Sequence, residues 1–200
     1  MCDFLIIVKM YPDLHQTLSK FGKVSNEELQ AVADKLQVLN LKKNDFFVKE
    51  GDIANYVAFV RSGYLRIYFN HEGEESTRDI SSIHSFVTAF ASFIAKTPSF
   101  EVVRAITNCE LLIIHRDDLN RLYKQFPALG SIGRRIMEEM FVRMQKRMYS
   151  LLTLNAETRY RNLLKEKPDF IQNIPLQFIA SYLGITSQSL SRLRRSIFED

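Results

Sequence analysis

The sequence predicts an α+β chain in three parts: an antiparallel β-roll or jelly-roll over residues 1–126, one long helix over 127–153, and a small all-α unit over 154–200. Three observations predict it. Short β-rich runs punctuated by glycine crowd the stretch from Asn44 to His115. Apolar residues recur by four and by three after Pro127. Two short helical patterns then meet at a single glycine near the end.

Residues 1–40 read as helical, with Leu29, Val32, Ala33, Leu36 and Leu39 on one face of a helix from Glu27 to Leu39. The runs Tyr56–Val60, Tyr64–Phe69, Val102–Ile106 and Glu110–His115 read as strands. Gly51, Gly63 and Gly73 fall where tight turns would join them. Short strands at this spacing predict an antiparallel barrel or sandwich. A short helix is expected between Ser81 and Lys96.

After Pro127 the helical pattern runs for about seven turns. Met137, Phe141, Met144, Met148 and Leu151 form a heptad seam, beside a second stripe of Leu129, Ile132, Ile136 and Met140. Two stripes need two partners: the β-roll for one and a second subunit for the other, with a single shared core as the alternative. Packing accounts for the methionines better than a cofactor site does. Asn155 then caps a helix from Ala156 to about Lys165, which Pro168 discourages from continuing.

The closing stretch carries the chemistry. Pro175 suits a first helical turn, and Leu176, Ile179, Ala180 and Leu183 make its apolar face. Gly184 permits a sharp turn, and small Ala180 leaves room for a crossing helix. From Ser187 that second helix buries Leu190, Leu193 and Ile197. Gln188, Ser191, Arg192 and Arg195 point the other way at 100° per residue. Glutamine can pair bidentately with adenine and arginine with guanine, as major-groove reading requires. Thr186 and Ser187 stand at the helix N-terminus, where hydroxyls and free N–H groups can meet phosphate. A packing corner ending in solvated arginines is the plainer alternative.

Composition excludes other classes. Two hundred residues, 46% of them hydrophobic, suffice for one large or two small cores. Twenty-seven basic against 23 acidic residues give a net charge of +4, which suggests a local basic patch rather than a polycation. Cys2 and Cys109 are too far apart in sequence to suggest a disulfide framework or a thiolate metal site. They cannot supply the roughly four thiolates of an iron–sulfur cluster. His15, His71, His84 and His115 have no context that marks a haem or metal ligand, and no nucleophile–base constellation appears. No enzyme is expected. The apolar run Phe4–Val8 is too short for a signal peptide or membrane helix, so a cytoplasmic setting is expected.

Taken together, the chain resembles the Crp/Fnr family of bacterial transcription regulators. The likeness rests on Lys49-Glu-Gly-Asp52, on Val60-Arg-Ser-Gly-Tyr-Leu-Arg-Ile67, on the heptad helix and on Ile179–Arg194. It implies a cyclic-nucleotide-binding-type sensor domain over 1–126, a dimerisation helix over 127–153 and a helix-turn-helix over 154–200. It also implies double-stranded DNA and a second copy as partners, and admits RNA polymerase as a further one. By the family's pattern Ser187, Gln188 and Arg192 fall at base-reading positions.

The effector pocket departs from that pattern. Family members that bind cyclic AMP place an arginine on the phosphate and a glutamate on the ribose. Here the arginine position falls at Ser99, beside Phe100. The Gly-Glu pair falls near Val87-Thr88, next to Phe86, and the adenine-touching hydroxyl pair of the long helix falls at Met144-Gln145. Arg104 occupies a structural strand position. A buried phosphate without its cation is costly, so cyclic AMP is not expected to bind. The family usually adds a β-hairpin wing after the recognition helix, whereas this sequence stops at Asp200. That implies either a member that manages without the wing or one with reduced DNA affinity. A regulatory module that controls a partner protein is the competing function.

Overall fold

The computed structural model describes residues 11–198, except the side chain of Phe198. Cys2 and the run Phe4–Val8 lie outside the described residues.

The described chain opens with helix α1 (Pro12–Ser19) and helix α2 (Asn26–Ala33). A capping box starts α2: the Ser25 hydroxyl accepts the Glu28 N–H at 3.2 Å and the Glu28 carboxylate accepts the Ser25 N–H at 2.7 Å. The predicted helix to Leu39 is corrected. It ends at Ala33, and Gln37–Leu41 is strand β1, paired antiparallel with β8 (Cys109–His115). Leu36 and Leu39 continued the helical spacing by coincidence. As strand residues, Leu39 and Leu41 lie two apart and reach the same core face.

Between them run β2 (Phe46–Val48), β3 (Tyr56–Ser62), β4 (Leu65–His71), β5 (Glu74–Ser81), β6 (Phe86–Val87) and β7 (Val102–Ala105). They form two antiparallel sheets, ordered β1-β8-β3-β6 and β2-β7-β4-β5. The expected short helix is present as α3 (Phe90–Ala95). Ala58, Val60, Leu65, Ile67, Val103 and Leu111 fill the space between the sheets. Alternation sends Val57, Phe59, Leu112 and Ile114 to the outer face, where helices cover them, which is why these strands read as unbroken apolar runs. Gly63 shows how closely the loops approach. Its φ is +84°, and a Cβ there would stand 2.3 Å from the Asn108 carbonyl oxygen.

Helix α4 (Arg116–Gln125) adds an element the sequence reading lacked, although Leu119, Leu122 and Tyr123 carry its spacing. The long helix is α5 (Pro127–Thr153), 27 residues. Leu129 and Ile132 are buried against the β-roll as expected, with Ile136 partly so. The C-terminal unit holds α6 (Ala156–Glu166), α7 (Pro168–Asn173), α8 (Leu176–Tyr182) and α9 (Ser187–Phe198). Asn155 caps α6, its side-chain oxygen accepting the Thr158 N–H at 2.8 Å. Pro168 opens a further helix, since a first turn tolerates its missing N–H.

The C-terminal unit is no bead on a linker. Its core of Tyr160, Phe170, Ile179 and Leu190 also includes Ile80 and Ile106 of the β-roll. No described helix is long and apolar enough to cross a membrane.

Candidate nucleic-acid interface

Two short helices and the turn between them build the candidate interface. At the end of α8 the chain closes a Schellman motif: the Ile185 N–H donates to the Ala180 carbonyl at 3.0 Å and the Gly184 N–H to the Ser181 carbonyl at 3.1 Å. Gly184 supplies the left-handed conformation that this needs, with φ +67°, and Leu151 of the long helix lies against it. Ile179, Ala180 and Leu183 are buried as predicted, but Leu176 is 39% exposed. Leu176 is corrected to the rim, because it is the first residue of a seven-residue helix and only the following turn reaches the core.

Helix α9 is seated by Leu190, 1% exposed, with Leu193 and Ile197 partly buried in the same cluster. Its opposite face is Ser187, Gln188, Ser191, Arg192 and Arg195, all exposed. Thr186 has a prior task. Its hydroxyl oxygen accepts the Ser189 N–H at 3.1 Å, so it is the helix cap before it is any ligand contact. With Ser189 capped, the N–H groups of Ser187 and Gln188 remain at the positive end of a twelve-residue helix, which favours an anion.

The expected effector residues do not converge. Thr88 is fully buried, its hydroxyl donating to the Tyr56 carbonyl at 2.8 Å. Ser99 is 4% exposed and turned on its own loop: its hydroxyl donates to the Glu101 carbonyl at 2.8 Å and accepts the Glu101 N–H at 3.0 Å. Its backbone bonds Gly51 and Asp52. Phe86 packs on Phe59, ring centroids 5.4 Å apart, beside a separate apolar cavity of about 490 Å³ under α4 and α5. Gln145 is exposed. Phe100 and Met144 alone come together, in a groove of about 750 Å³ between the β-roll, α5 and α6. Phe100 there stacks on Phe69 at 5.9 Å.

Two ion pairs lie in that groove, while Arg147 and Arg159 on its wall donate to backbone carbonyls. Arg78 pairs with Glu101, and Arg143 with Asp79 at 2.8 Å. Burial pushes the Glu101 carboxyl above its ordinary range and Arg78 pulls it back. Sequence reasoning missed Arg143, Arg147 and Asp79, whose meeting depends on how α5 lies over β5.

The five seam positions of α5 all stand at the surface, Phe141 57% exposed and Met148 50%. Val142, Tyr149 and Leu152 widen the apolar band, Leu152 at 77% exposure.

A β-roll, a long helix and a helix-turn-helix in this order define the architecture of the Crp/Fnr-type proteins. Residues 38–126 match the cyclic nucleotide-binding domain family. The whole chain is of Crp/Fnr type in its fold. FixK2 of Bradyrhizobium japonicum aligns over 82% of this chain and 85% of its own, with 16% identity and a TM-score of 0.72. CLP of Xanthomonas campestris, described as a c-di-GMP-responsive global regulator, aligns over 88% and 93%, with 18% identity and a TM-score of 0.68. A Crp/Fnr-family protein of Eubacterium rectale aligns over 86% and 83%, with 21% identity and a TM-score of 0.67. No curated protein matches in sequence.

Proposed function

We propose that this chain is a homodimeric, sequence-specific DNA-binding transcription regulator of the Crp/Fnr type that does not use cyclic AMP. One observation carries the reading. Helix α9 is held from behind by Leu190 and presents Gln188, Ser191, Arg192 and Arg195 to solvent with no apolar side chain among them. That face suits a groove lined with base edges and phosphates, and it does not suit docking on a protein, whose interface core is depleted in charge.

Dimerisation follows from the long helix. The band Met137–Leu151 is continuous, apolar and exposed on an isolated chain, and a second copy would cover it. Two α9 helices would then enter successive major grooves about 34 Å apart, one turn of DNA. Ser99 offers no cation and no free hydroxyl to a cyclic phosphate, which supports the exclusion of cyclic AMP.

Selection of bound duplexes from a random pool, at a stated salt concentration, tests the reading. A two-fold symmetric site is expected. Recovery of no enriched sequence by a folded dimer would transfer the function to a partner protein.

A further inference from the structure

Arg147 flanks the apolar seam of α5, one turn after Met144, and makes no ion pair with a carboxylate among the described residues. It donates to three backbone carbonyls instead: Arg78 O at 2.5 Å and Thr77 O at 3.3 Å, both on β5, and Tyr182 O at 2.5 Å, on α8. Its guanidinium also lies 3.7 Å from the centre of the Tyr182 ring. One side chain of the long helix thus holds both the β-roll and the helix-turn-helix.

The surface it holds has its own reason to stay covered. Strand β5 is an edge strand, and its pairing with β4 slips at Arg78, between Asp79↔Ile67 and Thr77↔Tyr68. Helix α8 covers that edge. The Thr77 N–H donates to the Ser181 hydroxyl at 2.9 Å, which reaches on to the Glu75 carbonyl at 3.3 Å. Phe178, on the same helix, lies 4.4 Å from the guanidinium of Arg66, which is itself buried against Tyr68 at 4.3 Å. On α7, Asp169 accepts the Tyr64 hydroxyl at 3.0 Å. Beside Arg147, the buried carboxylate of Asp79 holds Arg143 of the long helix. Swinging α8 away would strand the Thr77 N–H, remove one of the three acceptors of a half-buried arginine, and expose Ile80 and Ile106.

We propose that Arg147, with Asp79–Arg143 and Ser181–Thr77, is a built-in clamp that fixes the helix-turn-helix on the β-roll, so that this chain holds its DNA-reading geometry without a small effector. The consequence for DNA rests on the function proposed above; the clamp itself does not. The chain supplies from its own residues the charge and the hydrogen bonds by which a ligand could otherwise tie these parts together.

Hydrogen exchange on the full chain, refolded from denaturant so that no small molecule is carried over, tests the clamp. Peptides covering β5 and α8 should be protected in the wild type. Arg147→Met should raise exchange in both at least tenfold while leaving β3 and β8 unchanged, and should weaken binding of the selected duplex by about tenfold. Should Arg147→Met fail to fold, Ser181→Ala removes only the Thr77 acceptor and should raise exchange chiefly in β5. Wild-type exchange at both peptides in either folded variant overturns the clamp. So does a refolded wild type that fills the duplex only after a small-molecule filtrate of boiled cell lysate is added. Exchange that behaves as expected in a protein that binds no duplex keeps the clamp and removes the DNA reading.

Discussion

Helix α9 and the segment around Ser99 occupy two places where the chain was expected to meet a ligand, and they spend their polar groups in opposite ways. On α9 the helix cap is provided by Thr186, the packing by Leu190, and Gln188, Ser191 and Arg192 are left facing water. Ser99 and Thr88 instead turn their polar groups back on the chain: the Ser99 hydroxyl on Glu101, its backbone on Gly51 and Asp52, and Thr88 on Tyr56. A group already satisfied by its own fold must break those bonds to take a ligand. The open face leaves its polar groups free, and the closed loop has committed its own. The groove lined by Phe100 repeats the lesson in its acids, since Glu101 is held by Arg78 and Asp79 by Arg143.

The contrast is easiest to break at what seats the open face. Leu190→Ala removes a fully buried side chain from the core of the C-terminal unit and should cost about 2–5 kcal/mol, with the cavity as the main variable. In calorimetry that is a fall of roughly 2–4 °C in Tm per kcal/mol for a chain of this size. An unchanged Tm would mean that α9 is not held from behind.

Replacing Met144 and Met148 with glutamate places like charges along the exposed seam. Light scattering should report a monomer, and DNA affinity should fall because only one half-site is then held. A persistent dimer would assign the seam to something other than self-association.

Arg192→Ala sharpens the comparison on the face itself. It should leave folding unchanged, cost about 1–3 kcal/mol for each bidentate pairing with guanine that it removes, and relax preference at one base pair per half-site. Arg195→Ala should instead weaken all sequences alike and lower the slope of log affinity against log salt by about one unit per phosphate it no longer neutralises. Identical signatures from the two would mean that α9 binds without reading.

The smallest effect is expected at the closed loop. Titration of the wild type with cyclic AMP should give no binding heat in the micromolar range. Ser99→Arg should not create binding either, because the loop loses its internal bonds and Val87-Thr88 still supplies no acid for a ribose. Micromolar affinity in either protein would show that the loop opens more readily than its hydrogen bonds imply.

Much of this molecule was decided within a few residues of itself. Gly51, Gly63, Gly73 and Gly184 all take positive φ where the sequence placed turns, because that conformation is cheap only without a Cβ. Asn155 caps its helix, and the apolar runs of β3, β4 and β8 are strands, because period and capping are read over a turn or a pleat. The face of α9 was legible for the same reason: one helix of 3.6 residues per turn sorts its own side chains. Contacts distant in sequence decided the rest. Glu74-Glu-Ser-Thr-Arg-Asp-Ile-Ser81 is too polar to read as a strand, and is one because β4 pairs it and α8 covers its edge. Gln37–Leu39 left a helical pattern to pair with β8, some seventy residues on, where the ladder hydrogen bonds outweigh a weak local preference. The inward turn of Ser99 and the reach of Arg147 to both domains depend on where whole elements come to rest, and no local period encodes that.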